Sequence, residues 1–188
     1  MASAGRQHLT GKGREALETF LRDRGADRLP HPGGTLLEHL NRVERLLGDW
    51  GAAPPVRTAG LCHAAYGTDG FATALLPVTD RSTLTALIGE QAEALVHLYA
   101  ACDRATVYPR IDGTPTIPFR NRFTGHDDHP SPAALRAFLE ITAANELDVL
   151  AHNADLARQH GPALHNFLTR AGSLLSPAAR HAITRQLP

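Results

Sequence analysis

Two histidines, His39 and His63, fall on the apolar side of successive helical stretches. His39 follows Leu36 by three residues and precedes Val43 by four; His63 follows Val56 by seven and Ala59 by four. Helical periodicity therefore turns both rings inward. Asn145 does the same on a later stretch, seven residues after Phe138 and four before Val149. Unpaired burial of such groups costs roughly 1–3 kcal/mol each. A metal ion, a substrate or a closed hydrogen-bond network would supply the missing partners. His31, in the loop before the His39 helix, and Asp69, six residues after His63, are the nearest further donors. Either one, added to His39 and His63, would give a zinc or iron site with a position open to water or oxygen. Asp69 is also the nearest carboxylate for general-base work. The structural alternatives are a helix cap for His31 and a turn former for Asp69.

Around this centre the sequence offers Tyr66 and Thr68 as pocket residues, with Arg120 and Arg122 in the loop PFRNRFTG and Arg104 at the end of the preceding helix. Arginines converging on a pocket clamp phosphate or carboxylate; the same residues also suit a solvated surface or a structural ion pair. The run His126-Asp127-Asp128-His129 reads as an exposed loop, because contiguous side chains point in different directions. His152, His160 and His165 read as helix-surface residues.

The elements that must hold these residues are helical. Residues 13–24 carry Leu17, Phe20 and Leu21 on one side and stop at Gly25. Thr35 and Glu38 form a T-x-x-E capping box, so a helix begins at Leu36 and runs to Trp50 with Leu36, Leu40, Val43, Leu47 and Trp50 as one buried stripe. That register leaves Arg42 and Arg45 on the solvent side. Pro54-Pro55 opens a third helix reaching Tyr66, and its Ala59, Gly60, Ala64 and Ala65 suit close approach. A short helix is expected over 71–76, and one or two over 81–103, interrupted at Gly89. Residues 104–130 read as an irregular excursion with a small hairpin turning at Asp112-Gly113. Ser131-Pro132 starts a long helix, Gly161-Pro162 breaks the chain, and helices over 163–171 and 177–187 finish it. The expected fold is a single all-α domain over 1–188, with its core in 35–160.

Composition agrees. The chain has 188 residues, 43% hydrophobic and 20% charged, enough for one domain with a real core. With only six Phe, three Tyr and one Trp, that core must be mostly Leu, Val and Ala. Nineteen basic and nineteen acidic side chains cancel, so no basic face recommends nucleic acid or an acidic membrane as partner. Cys62 and Cys102 lack metal-ligand spacing and read as small core residues in a reducing cytosol. The N-terminus shows no apolar leader region and no window has the length of a membrane span, so a cytoplasmic location is expected. The small-residue helix 56–66 and the apolar C-terminal helices are compatible with a homodimer.

Three stretches carry a resemblance: LLEHLNRVERLL (36–47), VRTAGLCHAAYGT (56–68) and ITAANELDVL (141–150). In order and spacing they resemble the HD-domain superfamily of metal-dependent phosphohydrolases, nearest its alarmone hydrolase branch. That family places a first His at the position of His39, a His-Asp pair at His63-Ala64 and a last Asp at Asn145. Here Ala64 offers no donor and Asn145 a neutral carbonyl, which weakens the hold on a hard divalent cation. The chain also resembles a group of small bacterial proteins with the pattern H-x-G-x-[ST]-L-L-x-H-L … A-G-L-x-H-x-x-Y-G-T. The resemblance implies an HD-like fold with a divalent metal (Zn, Mn or Fe) on His39, His63 and Asn145, and His31 is the local candidate to replace a missing ligand. It implies hydrolysis of a small phosphoester or nucleotide-like substrate, with Asp69 as base. Two alternatives stay open: an HD-type iron oxygenase, and a degenerate fold kept as a ligand-binding or interaction module.

Overall fold

A computed structural model describes residues 11–187; positions 1–10, which carry most of the N-terminal stretch read above, lie outside the described residues. The described chain is all-α. Its elements are α1 (Gly11–Asp23), the two-residue strands β1 (Pro30–His31) and β2 (Gly34–Thr35), α2 (Leu36–Asp49), α3 (Pro54–Cys62), α4 (Arg81–Ile88) and α5 (Glu90–Ala101). Then come α6 (Arg104–Arg110), the strands β3 (Phe119–Arg120) and β4 (Asp127–Asp128), α7 (Pro132–Ala151), α8 (Ala154–Arg170) and α9 (Pro177–Gln186). Among the described residues no helix is long and apolar enough to cross a membrane.

The capping box sets the register of α2. Thr35 Oγ1 accepts the Glu38 amide, and the Glu38 carboxylate accepts the Thr35 amide. Leu36, Leu40, Val43 and Leu47 are then fully buried, each contributing roughly 1.5–3 kcal/mol. α3 packs against this stripe at Gly60, where a Cβ would lie 2.2 Å from Leu47 Cδ1. A larger residue there would force Leu47 to move.

α7 is the central element. α2, α3, α5, α8 and α9 all pack on it, and nearly every residue from Leu135 to Leu150 is buried. A helix surrounded this way must be apolar all round or satisfy its polar groups internally. α7 takes the second course for most of its buried polar groups: Thr142 donates to Phe138 O, and Asp148 accepts from His39 and Arg42.

Several local expectations need correction. α3 ends at Cys62, with His63 as its C-cap. The expected helix over 71–76 is a loop: Thr68 and Phe71 exchange backbone hydrogen bonds, and the Leu75 and Leu76 amides donate to Ala65 O. Residues 104–110 are helical, started by Asp103, whose side chain accepts the Thr106 amide. The hairpin turns at 121–126, with Phe119 opposite Asp128, and not at Asp112-Gly113. α8 runs through Gly161-Pro162 without a break. Arg158, whose carbonyl Pro162 cannot serve, is exposed, so water can take the place of the lost donor. Ala59, Gly60, Ala64 and Ala65 are buried within the chain. Cys62 and Cys102 are free and buried, and burial pushes both thiols up to about 12.

Candidate functional site: a histidine cluster under a polar cavity

α2, α3, α7 and the β1–β2 hairpin meet at one cluster. His39 is fully buried and His63 nearly so. Their rings stand edge to face, with centroids 5.3 Å apart. His31 stacks on His39 at 4.0 Å, and Tyr99 flanks His63 at 5.1 Å.

Each of the two buried rings has one nitrogen tied back. His39 Nδ1 donates to Asp148 Oδ2 at 2.6 Å; His63 Nδ1 donates to Gly60 O at 2.8 Å. The remaining nitrogens differ in surroundings. His63 Nε2 makes no hydrogen bond among the described residues, and its ring borders the cavity. His39 Nε2 lies 3.0 Å from Asn145 Oδ1. The amide is fixed in that sense, because Asn145 Nδ2 donates to Glu146 Oε1 at 3.1 Å. With Nδ1–H given to Asp148, a neutral His39 ring would set its Nε2 lone pair against an amide oxygen. Two acceptors at that separation need a positive centre to share, either a proton on Nε2 or a metal ion.

Arg42 braces the arrangement. It donates to Asp148 through Nε (2.7 Å) and Nη2 (3.0 Å), and to Pro32 O and Gly33 O of the hairpin. The solvent-side position read for Arg42 is therefore corrected: its side chain is 18% exposed. The bidentate pair locks the hairpin carrying His31 onto α7. Gly33 (φ +79°) makes this possible, since a Cβ there would lie 2.5 Å from the His152 ring.

Electrostatics follow from burial. Burial, then the neighbouring His39, pulls His31 down to about 4; the same two causes pull His63 down to about 3. Burial would raise Asp148, yet the hydrogen bonds from His39 and Arg42 outweigh it and hold the carboxyl below its ordinary value.

Above the cluster opens a cavity of about 330 Å³, whose walls include His31, His63, Thr68, Arg104, Asn145 and Glu146. Arg104 Nη1 donates to Glu146 Oε1 at 3.0 Å and Nη2 to Tyr99 Oη at 3.3 Å. The structure thus brings together His31, His39, His63, Asn145, Thr68 and Arg104. It does not bring Asp69, Tyr66, Arg120 or Arg122 to the cavity. Asp69 is exposed and accepts the Arg104 backbone amide. Tyr66 is buried and donates to Glu93. Arg120 pairs with Asp127 and donates to Gly125 O; Arg122 donates to Ala100 O and lies over Phe123. The 126–129 run is exposed. Sequence reasoning missed Asp148 and Glu146. Asp148 carried a signal, standing three residues after Asn145 on the same helical face.

Among the described residues, no group of three or more His, Cys, Asp or Glu side chains is arranged to hold a metal ion. A carboxylate-bridged two-metal centre does not fit, since Ala64 has no donor and arginines engage both Asp148 and Glu146. The donor chemistry does fit one borderline ion on two imidazoles and the Asn145 amide oxygen, with the outer nitrogens braced as metal-bound histidines require.

Fold and site define the class: an all-α protein with a buried histidine cluster beneath a polar cavity. Residues 20–104 match the model of a family described as a domain of unknown function (DUF6817). No curated protein and no solved structure matches the chain. The match takes in His31, His39, His63, Thr68 and Arg104 and stops short of α7, which supplies Asn145, Glu146 and Asp148.

Proposed function

We propose that the protein is a small-molecule enzyme on an HD-like helical scaffold, with its reaction centre at the floor of the polar cavity. His39 Nε2, His63 Nε2 and Asn145 Oδ1 would hold a single divalent ion there. The observation that carries the reading is the 3.0 Å approach of His39 Nε2 to Asn145 Oδ1, with each partner's other polar atom committed elsewhere. Such an ion, once bound, supplies a Lewis acid for a phosphoester or a site for oxygen.

The chain's own residues do the rest. Asp148 and Gly60 O hold the two rings in the tautomer that leaves Nε2 free. Burial keeps His31 neutral at the cavity wall, where it serves as a proton acceptor in place of Asp69. Arg104 presents a guanidinium to an anionic group of the substrate.

Metal analysis and calorimetry with Zn²⁺, Mn²⁺ and Fe²⁺ on the purified protein test this reading. One ion per chain is expected, lost in His63→Ala and Asn145→Ala. Zinc or manganese with phosphate release supports the hydrolase. Bound iron with oxygen uptake supports the oxygenase. A wild-type protein that takes up no ion contradicts both.

A further inference from the structure

Beside the polar cavity lies a second one, of about 590 Å³. The two share Gly70, Arg104, Glu146, Val149 and Leu156 in their walls, so the histidine-cluster cavity adjoins the groove between α6 and α8. Their character changes along the way. The inner part presents imidazoles, a hydroxyl and an amide. The outer part is lined by Tyr108, Leu150, Leu164 and Phe167, with Tyr108 and Phe167 stacked at 4.2 Å. Arg104 stands at the boundary, its Cζ 5.8 Å from the Tyr108 ring. Both volumes lie in the range of small-molecule sites, about 300–1,000 Å³.

We propose that this double cavity binds one amphipathic small molecule: a phosphate head beside Arg104 and the histidines, and an alkyl or aryl tail along the α6–α8 groove. The head-group half rests on the reading above; the tail half does not. Charge favours an anionic head. The cluster's ligand set (two imidazoles and an amide) contains no carboxylate to offset a bound cation, and Arg104, although paired with Glu146 at the same wall, keeps further guanidinium N–H groups for a phosphate oxygen. Shape and chemistry favour an apolar tail, because a fully polar ligand would leave the walls around Phe167 and Leu164 hydrated. This narrows the substrate class from any small phosphoester to one with a hydrophobic substituent.

Calorimetry on the full chain, comparing hexyl phosphate with ethyl phosphate, provides the test. Hexyl phosphate is expected to bind about tenfold or more tightly, from the added methylenes buried. Leu164→Gln should abolish that preference. Ala163→Trp, at an exposed position on the wall of the same groove, should do so by filling it and serves if the first variant does not fold. Equal affinity for the two phosphates, or a chain-length preference surviving both folded variants, overturns the proposal. A preference that persists in chelator, in a protein found to bind no metal, upholds the tail site and counts against the metal reading alone.

Discussion

Two buried polar groups lie a short way apart in this fold, and they are built differently. On the α4–α5 side Glu93 accepts Tyr66 Oη (2.9 Å) and a bidentate pair from Arg81 (2.7 and 2.6 Å). The charge is neutralised and the hydroxyl satisfied. On the α2–α7 side His39, His63 and Asn145 are just as buried. Yet one ring nitrogen makes no bond, another faces an acceptor, and His31 Nδ1 is buried without a hydrogen-bond partner. A closed network holds a fold together. A cluster left short of a positive partner, under a cavity, is arranged for something not part of the chain.

The comparison can be broken from either side. The largest effect is expected where the open cluster is braced: Asp148→Ala leaves Arg42 and His39 without their shared carboxylate and should cost about 3 kcal/mol or more in urea unfolding. Glu93→Ala should cost less, about 2 kcal/mol, because the Arg81 side chain is 43% exposed and can turn to water. It should leave metal and ligand binding unchanged, which Asp148→Ala should not.

Acid should separate the two regions. His31 falls from 6.5 to about 4 on folding, so the unfolded chain binds the extra proton between those values, and stability drops as pH falls through that window. Glu93 is held below 4.5 because the Arg81 and Tyr66 hydrogen bonds outweigh burial; its contribution is complete above 4.5 and lost only below. Each slope is at most about 1.4 kcal/mol per pH unit. Denaturation from pH 7 to 3 should show His31→Asn reducing the slope of the upper window, the remainder of which comes from His63, drawn from 6.5 to about 3, and Glu93→Gln reducing the slope below 4.5. The smallest stability effect is expected for His63→Asn, about 1 kcal/mol, paired with complete loss of ion binding.

The sequence made the closed parts of the fold readable and the open site only partly so. The T-x-x-E box and the leucine stripe set α2, and with it the inward turn of His39, because capping and periodicity are local. Ser131-Pro132 set the start of α7 for the same reason. The helix over 104–110 was masked by Pro109 and β-branched residues, although Asp103 stood ready as its cap. Asp69 and Tyr66 were assigned by proximity in sequence to His63, but a turn of four residues sends one to the Arg104 amide and the other to Glu93. Arg42 illustrates the limit best. Its periodic position reads as solvent, whereas its long side chain reaches over to Gly33 and round α2 to Asp148, the latter across more than a hundred positions, which no local pattern encodes.

The central claim is that His39, His63 and Asn145 share a cation. Anomalous diffraction at the zinc edge, from crystals grown with stoichiometric zinc, tests it most directly. A peak within coordination range of His39 Nε2, His63 Nε2 and Asn145 Oδ1 is expected. An ordered protein with no peak at that point, and His39 instead donating a proton to the Asn145 oxygen, would contradict it.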